Sequence, residues 1–425
     1  MRVLVVGGGG REHALCWALR REEAAADLYC APGNPGTAEL ATNLSIPADD
    51  LDRIADAADM HGIDLTIIGP EVPLARGLAD RLRAEGRTAF GPGAAAAQIE
   101  SSKAFAKDVM AAARIPTAAS RTFQDLASAL AYVDRHAEPL VVKASGLAAG
   151  KGAIVCPTRA EAASAVRAML GERAFGEAGA TVVIEAFLEG EEVSVLAVTD
   201  GREVELLPVS QDHKRLLDGD AGPNTGGMGA YSPVAVTTPA LLDRTRREVL
   251  EPALEELRRR GSPFSGVLYA GLMVDREGTP WVVEFNCRLG DPETQVVLPL
   301  VSGGLLDSLW SVARGEGVRP IARRDDWASI TTVLASRGYP DQPEKGAEIT
   351  LPATVPAGVT IFHAGTIRDD DGVLRVSGGR VLNVTAVAPT FAEAQRLSRE
   401  TAEVVDFEGK IFRRDIGWRE ARRAR

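Results

Sequence analysis

The segment PWVVEFNCRLGDPETQ, which starts at residue 280, holds the side chains with the clearest chemistry. An apolar run ends at Glu284, and because side chains alternate along a strand, Glu284 and Asn286 point to the same face. A carboxylate beside a carboxamide oxygen is a ligand pair that suits Mg²⁺ when water and substrate phosphates complete the shell. Arg288 and Asp291 follow and add a cation and a second acid. The alternative is a strand end with a solvated acid.

A glycine-rich segment, KASGLAAGKG from residue 143, holds the second group of candidate residues. It differs from a Walker P-loop because Gly152 follows Lys151 where that motif needs Ser or Thr, and because it lies between two predicted strands. A flap between antiparallel strands can still cover a triphosphate, with backbone amides of Gly150 and Gly152 and the Lys151 side chain facing it. Lys143 would then reach up from the strand below. The alternative is a flexible surface hairpin.

Two further stretches carry polar residues in positions that suit a ligand. The segment TVVIEAFLEGEE from residue 181 predicts strand, connection and strand, and Glu185 and Glu192 bracket an edge that could bind adenine and ribose. Residues 210–231 form a long glycine-rich stretch, and loops of this length in a compact domain are usually functional or disordered. They include Asp212, His213 and Lys214. A lone histidine such as His213 is more often structural than catalytic.

The elements that would position these residues start with alternating strands and helices over the first hundred residues. Strands at 3–6, 28–30, 65–68 and 88–90 and helices at 12–21, 51–60 and 74–85 predict a doubly wound parallel sheet. The glycine loop after the first strand fails the G-x-G-x-x-G test, because Glu12 or His13 occupies the last position. Its amides can still bind a phosphate or carboxylate at a helix N-terminus. Asn34 and Glu71 follow later strands, at the edge where open α/β sheets bind ligands.

Residues 91–93 and the alanine run behind them are interpreted as a hinge into a second, α+β unit. That unit would contain a helix at 103–114, strands at 140–143, 153–156 and 181–185, and a helix at 160–170. An amphipathic helix at 239–260 and a strand at 266–274 would precede the metal strand. The C-terminal part reads as strands at 329–339 and 360–387 with a helix at 391–405, and it offers no catalytic constellation.

Composition excludes several classes of protein. The chain has 425 residues, 45% hydrophobic and 25% charged, which indicates a soluble globular protein of roughly three domains. No apolar run approaches the ~18 residues of a membrane-spanning helix, so we expect a cytoplasmic protein. A net charge of -11 argues against nucleic acid or an anionic membrane as partner, and the basic tail after residue 412 is interpreted as a solvated terminus. Four dispersed cysteines argue against disulfides and zinc and should be buried.

The glycine flap, the E-x-x-x-x-G-E-E segment and the E-x-N strand together resemble the ATP-grasp superfamily. Within it the chain is similar to the phosphoribosylamine-glycine ligase family over its whole length. The motifs that carry this resemblance are GGGGREHAL at 7–15, APGNPGT at 31–37, IGPEVPL at 68–74, KASGLAAGKG at 143–152, SQDHKRLLDGD at 210–220, GPNTGGMGAYSP at 222–233, YAGLM at 269–273, EFNCRLGDPETQ at 284–295, FHAGT at 362–366 and GGRVLNVTA at 378–386.

The resemblance implies a multidomain α/β and α+β fold. A doubly wound N-terminal domain would span 1–100, two ATP-grasp lobes 101–190 and 191–325, and a small β-rich C-terminal domain 326–425. The implied reaction joins glycine to 5-phosphoribosylamine through glycyl phosphate, with ATP as co-substrate and Mg²⁺ or Mn²⁺ as metal. Its products are glycinamide ribonucleotide, ADP and phosphate, in the second step of purine synthesis. The partners would be small molecules only, and we expect a monomer.

The resemblance also implies roles for individual residues. ATP would bind at Lys103, Lys143, Gly150, Lys151, Gly152, Glu185, Phe187, Leu188 and Glu192. The metal would bind at Glu284 and Asn286, and Arg288, Asp291 and Asp212 would act in catalysis. The other substrates would bind at Gly9, Gly10, Arg11, Asn34, Glu71, Lys214, Asn224, Thr225, Gly226 and Gly227.

The sequence departs from the superfamily pattern in two places. The stretch YAGLM lacks the third metal acid that many ATP-grasp enzymes carry there, and Ser145 and Ala186 stand where relatives often have Asp and Glu. Ala186 argues against a side-chain contact to adenine at that position.

Two alternative functions can be compared with the sequence. Another ATP-grasp ligase or carboxylase of purine metabolism should lack the D-H-K-R and G-P-N-T-G-G-M-G segments. A nucleotide-binding protein with a dead site should have lost Lys143, Lys151 or Glu284, and all three are present.

Overall fold

A computed structural model describes residues 1–148 and 152–423 of the chain, so the predictions for Gly150 and Lys151 lie outside the described residues. The N-terminal unit is a five-stranded parallel sheet in the order β3-β2-β1-β4-β5. Val3 and Val5 face one apolar core and Leu4 and Val6 another, which confirms the doubly wound arrangement. Its elements are β1 (Arg2–Gly7), α1 (Gly10–Glu22), β2 (Asp27–Pro32), β3 (Thr42–Asn43), α2 (Leu51–Met60), β4 (Leu65–Ile68), α3 (Glu71–Ala75), α4 (Leu78–Ala84) and β5 (Ala89–Phe90).

Two predictions in this region, one of a helix and one of a hinge, were wrong in detail. The helix expected at 74–85 is split into α3 and α4 because Gly77 adopts φ +85, a left-handed conformation that interrupts the helix. The alanine run expected to be part of a hinge forms α5 (Ala94–Ser101), in keeping with the high helix propensity of alanine. Ser102 then caps α6 (Lys103–Ala112) by accepting a hydrogen bond from the backbone N–H of Phe105.

The glycine-rich segment joins two adjacent antiparallel strands, as predicted. The surrounding flap sheet has the order β6-β9-β7-β8, and its inner face packs on helices through Val142, Ile184 and Val166. Val141 lies opposite Glu185 in this sheet. The elements are β6 (Ser120–Phe123), α7 (Leu126–Arg135), β7 (Leu140–Ala144), β8 (Ala153–Cys156), α8 (Arg159–Val166) with a π turn at Arg167–Gly171, and β9 (Val182–Ala186).

The rest of the described chain builds a second antiparallel sheet and a C-terminal sheet. Its elements are β10 (Glu191–Thr199), β11 (Val204–Leu206), β12 (Gln211–Asp212), β13 (Arg215–Leu217), β14 (Ala221–Asn224), β15 (Gly229–Ser232), α9 (Pro239–Thr245), a π turn at Arg246–Leu250, α10 (Glu251–Arg259), β16 (Gly266–Val274), β17 (Pro280–Asn286), α11 (Thr294–Val297), β18 (Val301–Gly303), α12 (Leu305–Ala313), β19 (Ala322–Arg323), β20 (Ala328–Ser336), β21 (Val359–His363), β22 (Thr366–Arg368), β23 (Leu374–Val376), β24 (Arg380–Ala388), α13 (Phe391–Val404), β25 (Lys410–Ile411) and α14 (Trp418–Arg423).

The metal strand β17 lies at the edge of the second sheet, whose order is β11-β10-β16-β17. Gly271 pairs with Glu284 and Leu272 pairs with Val282, so Val283 is an extra residue in a bulge. A bulge changes the direction in which the following side chains point. Glu284 and Asn286, two residues apart beyond the bulge, stay on one side of the strand and both face the cavity described below.

The stretch 210–231, expected to be irregular, contributes two strands to the C-terminal sheet. That sheet has the order β12-β15-β20-β24-β21, and β25 pairs with β20. Gly229 lies opposite Thr332 in β20, and a side chain there would collide with Ile416 and with the carbonyl oxygen of Thr331. The stretch 210–231 and the C-terminal part of the chain therefore share one sheet.

The interpretation of the basic tail as solvated was wrong for Arg413, whose side chain is fully buried in ion pairs with Asp220 and Asp415. The four cysteines are free and buried, as expected. Across residues 1–148 and 152–423, we find no helix with the length and apolar character that crossing a membrane requires.

Candidate active site

A cavity of about 520 Å³ lies between the flap sheet, the second sheet and the loops at the edge of the N-terminal sheet. It collects most of the residues that the sequence singled out. Those that line it are Arg11, Glu71, Lys103, Lys143, Gly152, Glu185, Phe187, Leu188, Glu192, Asp212, Lys214, Asn224, Thr225, Gly226, Glu284, Asn286, Arg288 and Asp291. Gly9, Gly10, Asn34 and Gly227 are not among its lining residues.

Glu185 binds two lysines in the part of the cavity beneath the flap. Its carboxylate lies 2.9 Å from Nζ of Lys143 and 3.1 Å from Nζ of Lys107. Nζ of Lys143 also donates to the carbonyl oxygen of Val283 at 3.0 Å. The sequence predicted Glu185 beside adenine and ribose, whereas here it fixes the ammonium groups that face the cavity. Lys107 was missed, although it follows Lys103 by one helical turn and so shares its face.

Glu284 is held in the charged form despite its burial. Burial opposes ionisation, but the positive charges of Lys214, Lys143 and Lys103 outweigh it and lower the pKa of Glu284. An ionised carboxylate beside the amide oxygen of Asn286 fits a divalent cation. Among the described residues no group of three His, Cys, Asp or Glu side chains is arranged to hold a metal, so a cation at this pair would take further ligands from nucleotide phosphates and water.

Asp212, Lys214 and Glu192 form a second charged group in the cavity, close enough to Glu284 for Lys214 to affect its pKa. Nζ of Lys214 lies 2.7 Å from Glu192 and 4.0 Å from Asp212. Burial disfavours its charge, but the carboxylates of Asp212, Glu192 and Glu284 raise the pKa of Lys214 well above its ordinary value. Burial is the main cause that raises the pKa of Asp212 to about 8, against the opposing charge of Lys214.

Arg288 is fixed by two acids from the N-terminal side of the cavity. Its guanidinium lies 2.7 Å from Glu100 and 3.2 Å from Glu71. Glu100 also accepts a hydrogen bond from the backbone N–H of Cys287 at 2.8 Å. Burial would lower the pKa of Arg288, but these carboxylates raise it instead. Glu100 was missed because it ends the alanine-rich helix α5, which resembled a hinge.

The C-terminal sheet also supplies a cation to the cavity, contrary to the expectation that this unit holds no catalytic constellation. Arg380 donates to the carbonyl oxygens of Gly226 at 2.5 Å and Asp291 at 2.8 Å, and it lies 3.3 Å from the Asp291 carboxylate. The backbone N–H of Gly226 donates to the hydroxyl of Tyr339 at 2.9 Å. The available signal was the motif GGRVLNVTA, which contains Arg380.

Asn34 positions the glycine loop through hydrogen bonds made by both the nitrogen and the oxygen of its carboxamide group. Its Nδ2 donates to the carbonyl oxygens of Gly8 at 3.0 Å and His363 at 2.9 Å, and its Oδ1 accepts from the N–H groups of Gly36 and Thr37. These bonds occupy its donors and acceptors.

Close packing explains the glycine that begins α1. A Cβ atom on Gly10 would lie 2.4 Å from the side-chain amide nitrogen of Asn383 and 2.6 Å from that of Gln295.

One end of the cavity is apolar. This slot lies between the flap sheet, α6 and β16, and it combines methionine, aromatic and aliphatic side chains of a kind that pack on the faces of a planar ring. The lining residues that form it are Met110, Val141, Val155, Phe187, Leu188 and Met273. The lysines Lys103, Lys107 and Lys143 line the same cavity, so it offers both an apolar slot and positive charge.

Three family models match the chain in tandem. They are the N domain of phosphoribosylglycinamide synthetase over residues 1–100, its ATP-grasp (A) domain over 101–294 and its C domain over 329–419. Curated relatives named phosphoribosylamine-glycine ligase match end to end. The protein of Ralstonia nicotianae is 49% identical, covering 100% of both chains, and that of Nostoc sp. is 48% identical, covering 99% of both.

Solved structures agree with the sequence relatives. The crystal structure of phosphoribosylamine-glycine ligase from Thermotoga maritima has a TM-score of 0.86 and 36% identity, covering 98% of this chain and all of that one. The biotin carboxylase domain of Hydrogenobacter thermophilus 2-oxoglutarate carboxylase has a TM-score of 0.75 at 18% identity, covering 97% of this chain and 91% of that one. This second likeness concerns the fold alone, and the ATP-grasp assignment rests on the family model over residues 101–294.

Proposed function

The chain belongs to the phosphoribosylamine-glycine ligase family, and on that premise we propose that its cavity joins glycine to 5-phosphoribosylamine with ATP as the energy source. The protein is an ATP-grasp carbon-nitrogen ligase of purine biosynthesis. The observation that carries the site assignment is the cavity itself. Its apolar slot, its lysines and the ionised Glu284 are the parts that an ATP-dependent phosphoryl transfer requires.

ATP would lie with adenine in the apolar slot and its phosphates toward Lys103 and Lys143. Because Glu185 fixes Lys143 from behind, that ammonium is positioned before the nucleotide binds, and no rotamer entropy is lost in ordering it. Lys151 and Gly150 of the flap would cover the phosphates from above. Glu284 and Asn286 would hold Mg²⁺, with Mn²⁺ as an alternative. A bound divalent cation would neutralise negative charge on the transferring phosphoryl group and on the departing ADP.

Glycine is a zwitterion, and the cavity offers groups of both signs to bind it. Arg288 and Lys214 can donate hydrogen bonds to its carboxylate, the charged Asp291 can accept hydrogen bonds from its ammonium group, and a carboxyl oxygen of Asp212 can accept a further one. Phosphorylation of the carboxylate gives glycyl phosphate, which replaces a poor leaving group by a good one. The chain contributes position and charge to this step and needs no covalent nucleophile.

Phosphoribosylamine would approach from the N-terminal sheet. Arg11 and Glu71 line the cavity on that side, and Gly9 and Gly10 begin helix α1, whose N-terminus favours an anion such as the 5-phosphate. Asn34 would act on this substrate indirectly, by positioning the glycine loop. The amine then attacks the acyl carbon of glycyl phosphate and releases phosphate. We further propose that the protein acts in the cytoplasm as a monomer with these small molecules as its only partners.

The test is release of ADP from MgATP and glycine, with and without phosphoribosylamine made fresh in the cuvette. We expect release to require both substrates and glycinamide ribonucleotide to appear in step with ADP. Release that ignores phosphoribosylamine but responds to another amine or carboxylate would refute the proposed substrates.

A further inference from the structure

The C-terminal segment, residues 413–423, is bound to the loop that brings Asp212 and Lys214 into the cavity. Asp212 and Lys214 line the cavity, whereas His213 between them is buried on the other side and is 1% exposed. This arrangement follows from the alternation of side chains in an extended chain. Nε2 of His213 accepts a hydrogen bond of 2.9 Å from the backbone N–H of Gly417.

Arg413 is the centre of the contact. Its guanidinium makes two bonds with Asp415, at 2.7 and 2.8 Å, and donates to the Asp220 carboxylate at 2.8 Å and to the carbonyl oxygen of Arg215 at 3.2 Å. Arg215 is the residue after Lys214. The side chain of Arg413 is fully buried and those of Asp220 and Asp415 are 28% and 23% exposed, so water reaches these charge-assisted bonds from the acid side only.

Asp220 forms ion pairs with more than one positively charged side chain. Besides Arg413 it accepts a bond of 2.8 Å from Arg419, and it lies 3.7 Å from Nδ1 of His213. These neighbours lower the pKa of Asp220, with His213 as the largest cause, so the carboxylate is charged. Its backbone has φ +56, a left-handed conformation that is costly for a residue with a side chain and that persists only where neighbours enforce it.

Backbone contacts join the same two segments. The N–H of Gly219 donates to Asp415, and the N–H of Arg414 donates to Asp218, each at 2.8 Å. At the far end of the segment, Arg423 forms an ion pair with Glu191, the neighbour of Glu192. Since Glu192 holds Lys214 at 2.7 Å, the segment supports both partners of that contact.

We propose that residues 413–423 act as a latch that holds Lys214 and Asp212 in place for the reaction, with Arg413 and Asp220 as positioning residues. The inference rests on the proposed function, in which Lys214 and Asp212 bind glycine and its acyl phosphate. Lys214 and Asp212 need the latch because the loop that carries them has only short strands, β12 to β15. A displacement of about 1 Å at reacting groups can reduce rate by a factor on the order of 100.

The test compares Arg413→Met and Asp220→Asn with the control Arg414→Gln in the full chain. Arg414 lies in the same segment, but its side chain is 64% exposed and pairs only loosely with Glu403. We expect kcat/KM for glycine to fall about 10- to 100-fold in Arg413→Met and about 3- to 10-fold in Asp220→Asn. The KM for ATP should stay within about twofold, because Lys103 and Lys143 do not contact the latch. Arg414→Gln should behave as the parent.

Arg413→Met removes the cation that Asp220 and Asp415 share in a partly buried site, and the variant can fail to fold. Asp220→Asn keeps the side-chain shape at a position that is 28% exposed, so this variant decides the question if the other is not recovered. A folded variant with unchanged kcat/KM for glycine would overturn the latch. So would a loss of activity that matches the loss of folded protein, with the folded fraction measured by circular dichroism, because the rate per folded molecule would then be unchanged. An inactive parent protein would instead refute the proposed function.

Discussion

Acidification should destabilise the contact between helix α1 and the C-terminal sheet. His13 and His363 meet there, and both are buried. Nδ1 of His13 accepts a hydrogen bond of 2.8 Å from the backbone N–H of His363, so this nitrogen cannot carry a proton in the folded protein. The ring also makes an edge contact with Phe362 at 5.4 Å. Helix α1 carries Arg11, so loss of this contact would disturb the cavity.

The magnitude follows from the two pKa values. Burial and, secondly, the charge of His363 lower the pKa of His13 to about 3, and burial and Arg368 lower that of His363 to about 4. The unfolded chain, with values near 6.5, binds more protons than the folded protein between pH 6.5 and 3. The stability is therefore complete above pH 6.5 and is lost as pH falls through this window. At pH 5 each histidine contributes a loss of about 2 kcal/mol.

The assay is urea unfolding of the parent and of His13→Gln at pH 7.5 and pH 5.0. Glutamine can accept the N–H of His363 through its amide oxygen, but it does not titrate in this range. We expect the parent to lose about 2 kcal/mol more than His13→Gln between the two pH values. An equal loss in the two proteins would refute the assignment of the acid sensitivity to His13.

Three predictions concern the cavity. Glu284→Gln should reduce turnover at least ~100-fold without loss of fold, because it replaces the charged carboxylate that we propose as a metal ligand by a neutral carboxamide; near-normal turnover at saturating Mg²⁺ would contradict the metal assignment. Arg380→Met removes two hydrogen bonds that hold the backbone at Gly226 and Asp291, and we expect a loss of ~10- to 100-fold in kcat/KM for glycine; an effect on KM for ATP alone would count against it. Met273→Trp should fill the apolar slot and raise KM for ATP at least ~10-fold, and an unchanged KM would place adenine elsewhere.

The parts of the site that could be predicted from the sequence are those encoded locally. Alternation along one strand placed Glu284 and Asn286 on the same side, and strand-loop-strand spacing placed the flap between antiparallel neighbours. Val283 shows the limit of this reasoning. The bulge there depends on how β17 pairs with β16, and a pairing register is a property of two strands that the pattern of one strand does not contain.

Other parts depend on contacts between distant segments. Arg288 and Glu100 are 188 residues apart, and Arg413 and Asp220 are 193 apart. In the sequence, Glu100 follows an alanine run by three residues and Arg413 belongs to a basic tail, and both are charged residue types that are usually exposed. In the folded protein Glu100 and Arg413 are each paired with a residue of opposite charge. Each side chain therefore supports the structure instead of facing solvent.

Glu185 shows what a family motif alone does not contain about an acid. On a strand beside a cavity, a carboxylate that binds a ribose hydroxyl and one that orients a lysine have the same residue type and the same spacing. In this structure Glu185 lies 2.9 Å from Lys143 and 3.1 Å from Lys107, which is the second arrangement. The same holds for Glu192 beside Lys214, and for Glu71 and Glu100 around Arg288. Three cations that line the cavity, Lys143, Lys214 and Arg288, are therefore each held by at least one acid, and under the proposed function the phosphate chemistry depends on both groups.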